Sequence, residues 1–295
     1  MTTEENSSPT KLQFAVEFIK KFLIAKLPSY FSPAISLRYF LYLSKAKRLL
    51  GKFDNLDKIK KSNSGFTLVF TDGNFIEIPQ HERVSRFVSG RKHALSRILS
   101  QYHVSDFSEI RVDTVLDIGA NIGEFSLACL EMGATKVYSV EPVLENFKCL
   151  EMNLLEFKFK SKRFQMALGA VNVDLPLYVA KERQNSSLIK PNNVESTVTV
   201  KCMRLDDFLE ELTDSPIDLL KMDAEGFEPE VLSGLQSKLF RIRNYAIDCS
   251  PERENNDTIQ QVTKFFELNR IKYRIRKSWN NSRIVIVAGE NLSEV

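Results

Sequence analysis

From Val112 onward the chain alternates short β-rich runs with helical ones, and this alternation limits the possible folds more than any other feature. Strands are expected at 112–118, 136–142, 163–169, 217–223 and 244–250, with helices near 123–132, 144–155, 228–239 and 258–269. Strands separated by helices cannot pair as hairpins, so the expected architecture is α/β: a mostly parallel, doubly wound sheet covered on both faces. Between the third and fourth strands an insertion places 174–180 and 197–203 where they could pair, joined by the polar loop Lys181–Ser196. The chain closes with 271–277 and 283–288 flanking WNNS, an antiparallel C-terminal hairpin at a sheet edge.

The first third reads differently. Residues 1–10 are a polar, acidic tail expected to be disordered. Residues 11–104 form an N-terminal extension of helices and a β-hairpin, ahead of the main domain at 105–295. In 11–27, Leu12, Ala15, Val16, Ile19, Phe22 and Leu23 recur at helical spacing before Pro28, and 35–50 repeats the pattern. Residues 65–79 alternate apolar and polar around Asp72-Gly73, a pair that favours a tight hairpin turn, and a helix follows at Arg91–Tyr102.

Charge sharpens this division. The 295 residues carry a net +3, but 11–61 hold twelve Lys/Arg against Glu17, Asp54 and Asp57, leaving −4 on 62–295. A basic, aromatic helical pair within 11–52 suits an anionic membrane surface. The same stripe suits packing on the main domain or on a second copy in a homo-oligomer. With 43% apolar residues and few Gly or Pro, the composition excludes a disordered or collagenous chain. No uncharged apolar stretch is long enough for a transmembrane helix, and no secretory signal is legible. Cys129, Cys149, Cys202 and Cys249 are widely spaced, which fits reduced thiols in a cytoplasmic setting, with peripheral membrane contact as an option.

In an open parallel sheet, ligands bind where strands end. The first strand ends in Asp117-Ile-Gly119-Ala120-Asn121-Ile-Gly123, spaced D-x-G-x-x-x-G rather than the G-x-G-x-x-G that cradles a pyrophosphate. The two glycines allow a close turn, and Asp117 suits an ammonium group. The second strand ends in Glu141-Pro142, where a carboxylate can accept both hydroxyls of a ribose. A ribose with an aminoacyl end and no phosphate describes S-adenosylmethionine. The fourth strand ends in Lys221-Met-Asp223-Ala-Glu225-Gly226-Phe227-Glu228, whose three carboxylates make a candidate general base or hard-cation site; a divalent cation is possible, though no metal ligands are assigned. Asn185, Ser186 and Ser187 in the insertion loop are candidate substrate contacts.

VLDIGANIGEFSL, VYSVEP and IDLLKMDAEGFEPEVLSG together resemble the FkbM family of methyltransferases over roughly residues 112–250, with weaker similarity in RFVSGRKHALSRILSQY. That resemblance implies a class I Rossmann-like fold and S-adenosylmethionine-dependent O-methylation, in many members of sugar hydroxyls. It implies that Asp117, Gly119, Asn121, Gly123 and Glu141 hold the cofactor, with Ala167 and Leu168 near the adenine. The family's K-x-D-x-E-G-H-E pattern is met at Lys221, Asp223, Glu225, Gly226 and Glu228, but Phe227 replaces its histidine. A base must then be a carboxylate here, a histidine from the first third, or water. The expected acceptor is a sugar, a glycan or a glycosylated natural product. Two rivals stand beside it: an RNA methyltransferase, disfavoured by the −4 over 62–295, and a non-catalytic membrane-surface scaffold.

Overall fold

A computed structural model describes residues 37, 39–44, 56–107, 112–180, 186–190, 194–212, 216–251, 253, 256–278 and 283–287. The helix expected at 11–27, most of the basic stretch 11–52, the tail and Asn185 lie outside the described residues; within 35–50, residues 39–44 are helical.

A central seven-stranded sheet carries the fold. Its strands are β4 (Thr114–Ile118), β5 (Lys136–Val140), β6 (Ser161–Phe164), β10 (Leu219–Met222), β11 (Tyr245–Asp248), β12 (Arg274–Lys277) and β13 (Arg283–Val287). Their order is β12-β13-β11-β10-β4-β5-β6, with β10 and β4, β4 and β5, β5 and β6, and β10 and β11 parallel, and β13 antiparallel to both neighbours. This is the Rossmann-like, doubly wound sheet with its closing hairpin. Strands β4 and β10 are buried at every residue, as expected of central parallel strands covered on both faces. The order reverses between β4 and β10, so a crevice opens beyond their carboxyl ends.

One face is covered by α3 (Glu124–Glu131) and α4 (Leu144–Asn153). It is also covered by a small antiparallel sheet of β1 (Leu56–Lys61), β2 (Phe66–Phe70) and β3 (Phe75–Ile78), followed by α1 (Val84–Phe87) and α2 (Arg91–Gln101). A single buried cluster runs from Phe40, Ile76, Phe87 and Tyr102 to Phe125, Leu150 and Ile286, so the extension and the sheet share a core. Polar bonds reinforce the junction: Asn153 accepts from Glu77 N (2.7 Å) and donates to Glu77 O (3.0 Å) and Ile122 O (2.8 Å). The other face is covered by α5 (Leu205–Glu211), α6 (Glu228–Ser233) and α7 (Ile259–Leu268), where Phe208, Val231, Leu232, Val262 and Phe266 are buried.

The expected insertion pair is present as β8 (Val173–Val179) and β9 (Ser196–Arg204), antiparallel to each other. Two expectations are corrected, and one strand is added. The strand expected at 163–169 is two: β6 ends at Phe164 in the main sheet, and β7 (Ala167–Gly169) leaves to pair with β9. Apolar alternation runs unbroken through Phe164, Met166 and Leu168, which hides the turn. The helix expected at 228–239 stops at Ser233, and the N–H groups of Gln236, Ser237 and Lys238 donate to the Asp206 carboxylate instead of continuing it. The hairpin expected at 65–79 gains a third strand, β1, whose charged residues Asp57, Lys58, Lys60 and Lys61 suit its place at the sheet edge.

Candidate active site

The turn after β4 forms the floor of the crevice. Gly119, at φ +70°, donates with Ala120 to the Val140 carbonyl (3.0 Å each), and any Cβ on it would overlap the Asp223 carbonyl oxygen. Gly123, at φ +87°, a backbone conformation that other residues rarely adopt, starts α3 close against the Leu150 side chain. Asn121, also at positive φ, is held by Arg83, which donates to its Oδ1, and that oxygen also accepts Ile122 N (2.9 Å). Arg83 therefore ties the extension directly to this turn. Burial and then the nearby Arg86 guanidinium lower its pKa to about 10, with Glu124 and Glu141 opposing.

Glu141, beyond β5, lines the resulting cleft together with Pro142, Gly119, Ala120 and Asn121, as do Ala167 and Leu168 with Met166 and Phe227. Its Oε2 accepts Asn121 N (2.8 Å), and its Oε1 accepts Val143 N (2.9 Å) and Asn146 Nδ2 (3.2 Å). Burial raises its pKa, although those donors and Arg83 work against the rise. Asp117 is placed elsewhere. Expected to face an ammonium group, it is 0% exposed beneath the floor, accepts Ser126 Oγ (2.7 Å) and pairs with Lys221 Nζ at 3.1 Å. It supports the site from below.

Lys221 joins floor to wall. Its ammonium donates to Gly119 O (2.8 Å) and lies 5.1 Å from the centre of the Tyr102 ring. Burial opposes its charge, but Asp117 and Asp223 outweigh burial and raise its pKa. Asp223, just past β10, lines the cleft, and the Tyr102 hydroxyl donates to its Oδ2 at 2.6 Å. Burial, with Asp223 and Asp248, holds the Tyr102 phenol well above its usual pKa, so it stays a donor.

The other two carboxylates separate. Glu225, at φ +52°, lines the cleft, whereas Glu228 is 0% exposed and turns back into the protein. Glu228 Oε1 accepts Ala224 N (2.9 Å) and Gly226 N (3.1 Å), and Oε2 accepts the Thr258 hydroxyl (3.0 Å). It fastens the turn and is corrected from a catalytic candidate to a structural one. No group of three His, Cys, Asp or Glu among the described residues could hold a metal ion.

Ser186 and Ser187 line the cleft, but their hydroxyls are engaged internally. Ser186 Oγ accepts Ala180 N (3.1 Å), and Ser187 Oγ donates to Glu225 O (2.6 Å) while accepting Ile189 N (2.9 Å). They pin the insertion against the β10–α6 turn. Among the described residues, none of the three histidines lines the cleft.

Sequence reasoning missed Tyr102, Gln101, Arg83, Arg86 and Asp248. Asp248 ends β11, so the rule that picked Glu141 and Asp223 could have found it. Burial and then the Asp223 charge raise its pKa to about 7. Arg83 reaches the site only through tertiary packing, and no local signal marks it; Arg86, Gln101 and Tyr102 lie in the RFVSGRKHALSRILSQY stretch, whose weaker family similarity singled out no residue.

The profile of the FkbM methyltransferase domain matches residues 117–275, more than half of the chain. The chain belongs to the FkbM methyltransferase family. This FkbM methyltransferase is similar in structure to magnesium protoporphyrin IX methyltransferase from Synechocystis PCC 6803, solved with bound S-adenosylmethionine (12% identity, 68% of this chain and 82% of that one, TM-score 0.39). It is also similar to the bifunctional kinase-methyltransferase WbdD (14% identity, 68% and 40%, TM-score 0.39) and to the human methyltransferase 10 domain containing protein (10% identity, 65% and 81%, TM-score 0.39). No curated protein sequence matches significantly.

The residues present fit S-adenosylmethionine. The cleft has an empty volume of about 880 Å³, mouth included, and the cations at the Gly119–Asn121 turn are engaged within the protein, Lys221 on Asp117 and Gly119 O and Arg83 on Asn121 Oδ1. Glu141 Oε2, which accepts Asn121 N, keeps acceptor capacity for a ribose hydroxyl. Met166, Leu168 and Phe227 offer apolar walls for a base, and Glu141, Asp223 and Glu225 suit a cationic ligand.

No helix among the described residues is long and apolar enough to cross a membrane.

Proposed function

We propose that this FkbM methyltransferase transfers a methyl group from S-adenosylmethionine to a hydroxyl oxygen of a sugar or glycan. The observation that carries this reading is Asp223, a carboxylate at the carboxyl end of β10 that lines the cleft with Glu141 and is anchored through one oxygen by Tyr102. When bound, S-adenosylmethionine supplies a methyl group on a positively charged sulfur, already activated for displacement.

Glu141 would hold the ribose hydroxyls, and the Gly119–Asn121 turn would lie against the aminoacyl end. Asp223 would accept the acceptor's proton as the oxygen–methyl bond forms and the sulfur–methyl bond breaks, leaving a neutral thioether. A positioned base of this kind contributes about 10²–10⁴-fold; alignment of the two reactants contributes the larger share. Phe227, where the family pattern has histidine, lines the cleft and leaves the proton to the carboxylate. The net −4 on residues 62–295 argues against an RNA acceptor.

The test is a screen of free glycans, lipid-linked glycans and RNA with radiolabelled methyl donor. Label should enter glycan as a methyl ether, which survives mild base. Base-labile label would mean a methyl ester, and label in RNA alone would refute the proposal.

A further inference from the structure

The connection from α4 to β6 ends in a turn of unusual composition. Past α4 the chain makes one turn of 3-10 helix (Leu155–Phe157), and a further turn closes where Lys160 N donates to Phe157 O at 2.8 Å. Tight turns are normally built from Gly, Pro, Asn, Asp or Ser, but the middle of this one is Lys158-Phe159. Phe159 is 92% exposed, more than any other large apolar side chain among the described residues. Met152 and Leu155, also exposed, precede it at intervals of three and four residues. The backbone holds the turn in place: Lys158 N donates to Leu155 O (3.2 Å), and Val137 N of β5 donates to Lys160 O (2.8 Å).

The same segment is basic. Residues 157–163 carry Lys158, Lys160, Lys162 and Arg163 and no acid; the nearest acids before them are Glu151 and Glu156. Lys158 lies 5.1 Å from the centre of the Phe159 ring, and the exposed Lys160 and Lys162 make no ion pair among the described residues. Arg163 donates to Leu154 O (3.4 Å) and Ser161 Oγ (3.0 Å). β6 is the last strand of its sheet, so a lysine on it discourages pairing with another chain. That role accounts for Lys162 and leaves the bared Phe159 unexplained.

An anchored aromatic tip with aliphatic neighbours and a collar of lysines matches the interface of an anionic bilayer. There the ring and aliphatic chains enter the acyl boundary while ammonium groups stay with the lipid head groups. A second copy docked through the same surface, or the basic stretch 11–61 of this chain, would set like charges together. A nucleic acid would engage the ring and the lysines but leave Met152 and Leu155 without a role.

We infer that the turn at 157–160, with Met152, Leu155 and Lys162, docks on an anionic lipid surface with Phe159 entering the interface. β6 runs parallel to β5 and β4 and begins just after this turn, so the turn lies at the opposite end of the sheet from the cleft. Docking therefore leaves the cleft open to solvent, and the inference stands apart from the choice of methyl acceptor.

The test is co-sedimentation of the full chain with phosphatidylcholine vesicles, with and without phosphatidylserine, and a parallel titration with RNA. Binding should require phosphatidylserine and weaken with salt. A lysine near such a surface contributes about fivefold, so joint Lys160→Gln and Lys162→Gln substitution should weaken binding roughly 25-fold. Phe159→Ser should weaken it about tenfold. The changed side chains are exposed and far from the cleft, so melting temperature and S-adenosylmethionine affinity should keep their wild-type values. An environment-sensitive dye on Phe159→Cys should shift its emission to the blue on vesicles; the four native cysteines are buried. Absence of phosphatidylserine-dependent binding by the full chain would overturn the inference, as would an unshifted dye on vesicle-bound protein. Undiminished binding by the folded variants would move the attachment to residues 11–52 and overturn it too. RNA bound in preference to vesicles, and released by the same substitutions, would replace the bilayer with a nucleic acid.

Discussion

Glu228→Gln separates support from catalysis in the turn between β10 and α6. Glu228 is fully buried, and burial, reinforced by Asp223, raises its pKa from the ordinary 4.5 to about 7. Between those values the folded protein keeps a proton that the unfolded chain has released. Its stabilising contribution is therefore complete below pH 4.5 and is lost as pH rises through 7. The gap corresponds to about 3 kcal/mol. Glutamine can keep the bonds from Ala224 N and Gly226 N through its oxygen and donate its amide to the Thr258 hydroxyl, which can accept as well as donate. Urea unfolding followed by circular dichroism at pH 5 and pH 8 should give nearly equal stabilities at the lower pH and a variant more stable by up to ~3 kcal/mol at the higher. Turnover should stay within about twofold, because Glu228 does not touch the cleft. A variant that keeps the wild-type pH dependence of stability, or that loses most of its activity while folded, would refute the assignment of Glu228 as a buried fastener.

Glu141→Ala should weaken S-adenosylmethionine binding by ~1.5–3 kcal/mol for each charged hydrogen bond lost; titration of the folded variant checks this, and unchanged affinity would move the site. Tyr102→Phe removes the 2.6 Å donor to Asp223, so kcat/KM should fall ten- to a hundredfold, or about 1.4–2.7 kcal/mol, with cofactor affinity kept; wild-type kinetics would show that Asp223 needs no anchor. Gly119→Ala places a Cβ on the Asp223 carbonyl at a positive φ, and thermal unfolding should show a loss of more than ~1–2 kcal/mol; an unshifted melting temperature would contradict the close approach of the two turns.

Much of the sheet was legible because its central strands are short, mostly apolar runs that end in glycine or acid, as in TVLDIG and LLKMD. The strand-end rule then drew attention to Glu141 and Asp223. It failed for Asp117, because sequence does not say which face of a strand end a side chain takes: Asp117 points under the floor and meets Lys221, a residue that also seemed to belong to the ligand motif. The same limit applies at Glu228, where a run of carboxylates looks like one site until the helix start turns one inward. Arg83 and Tyr102 come from the extension, and their roles depend on contacts 38 and 121 positions away in the chain, which local spacing does not encode. Serines 186 and 187 lie at the cleft as expected, yet their hydroxyls are spent on backbone partners, an outcome set by the fold of the insertion.

The central claim is that Asp223 serves methyl transfer to a glycan hydroxyl within the S-adenosylmethionine cleft. The measurement that tests it most directly is single-turnover transfer of labelled methyl to the glycan acceptor, comparing wild-type protein with Asp223→Asn at saturating S-adenosylmethionine. The account predicts a base-stable methyl ether on the glycan, formed at least tenfold more slowly by the variant with cofactor affinity preserved. Equal rates in the two proteins, or a wild-type enzyme that labels RNA and leaves glycans untouched, would contradict it.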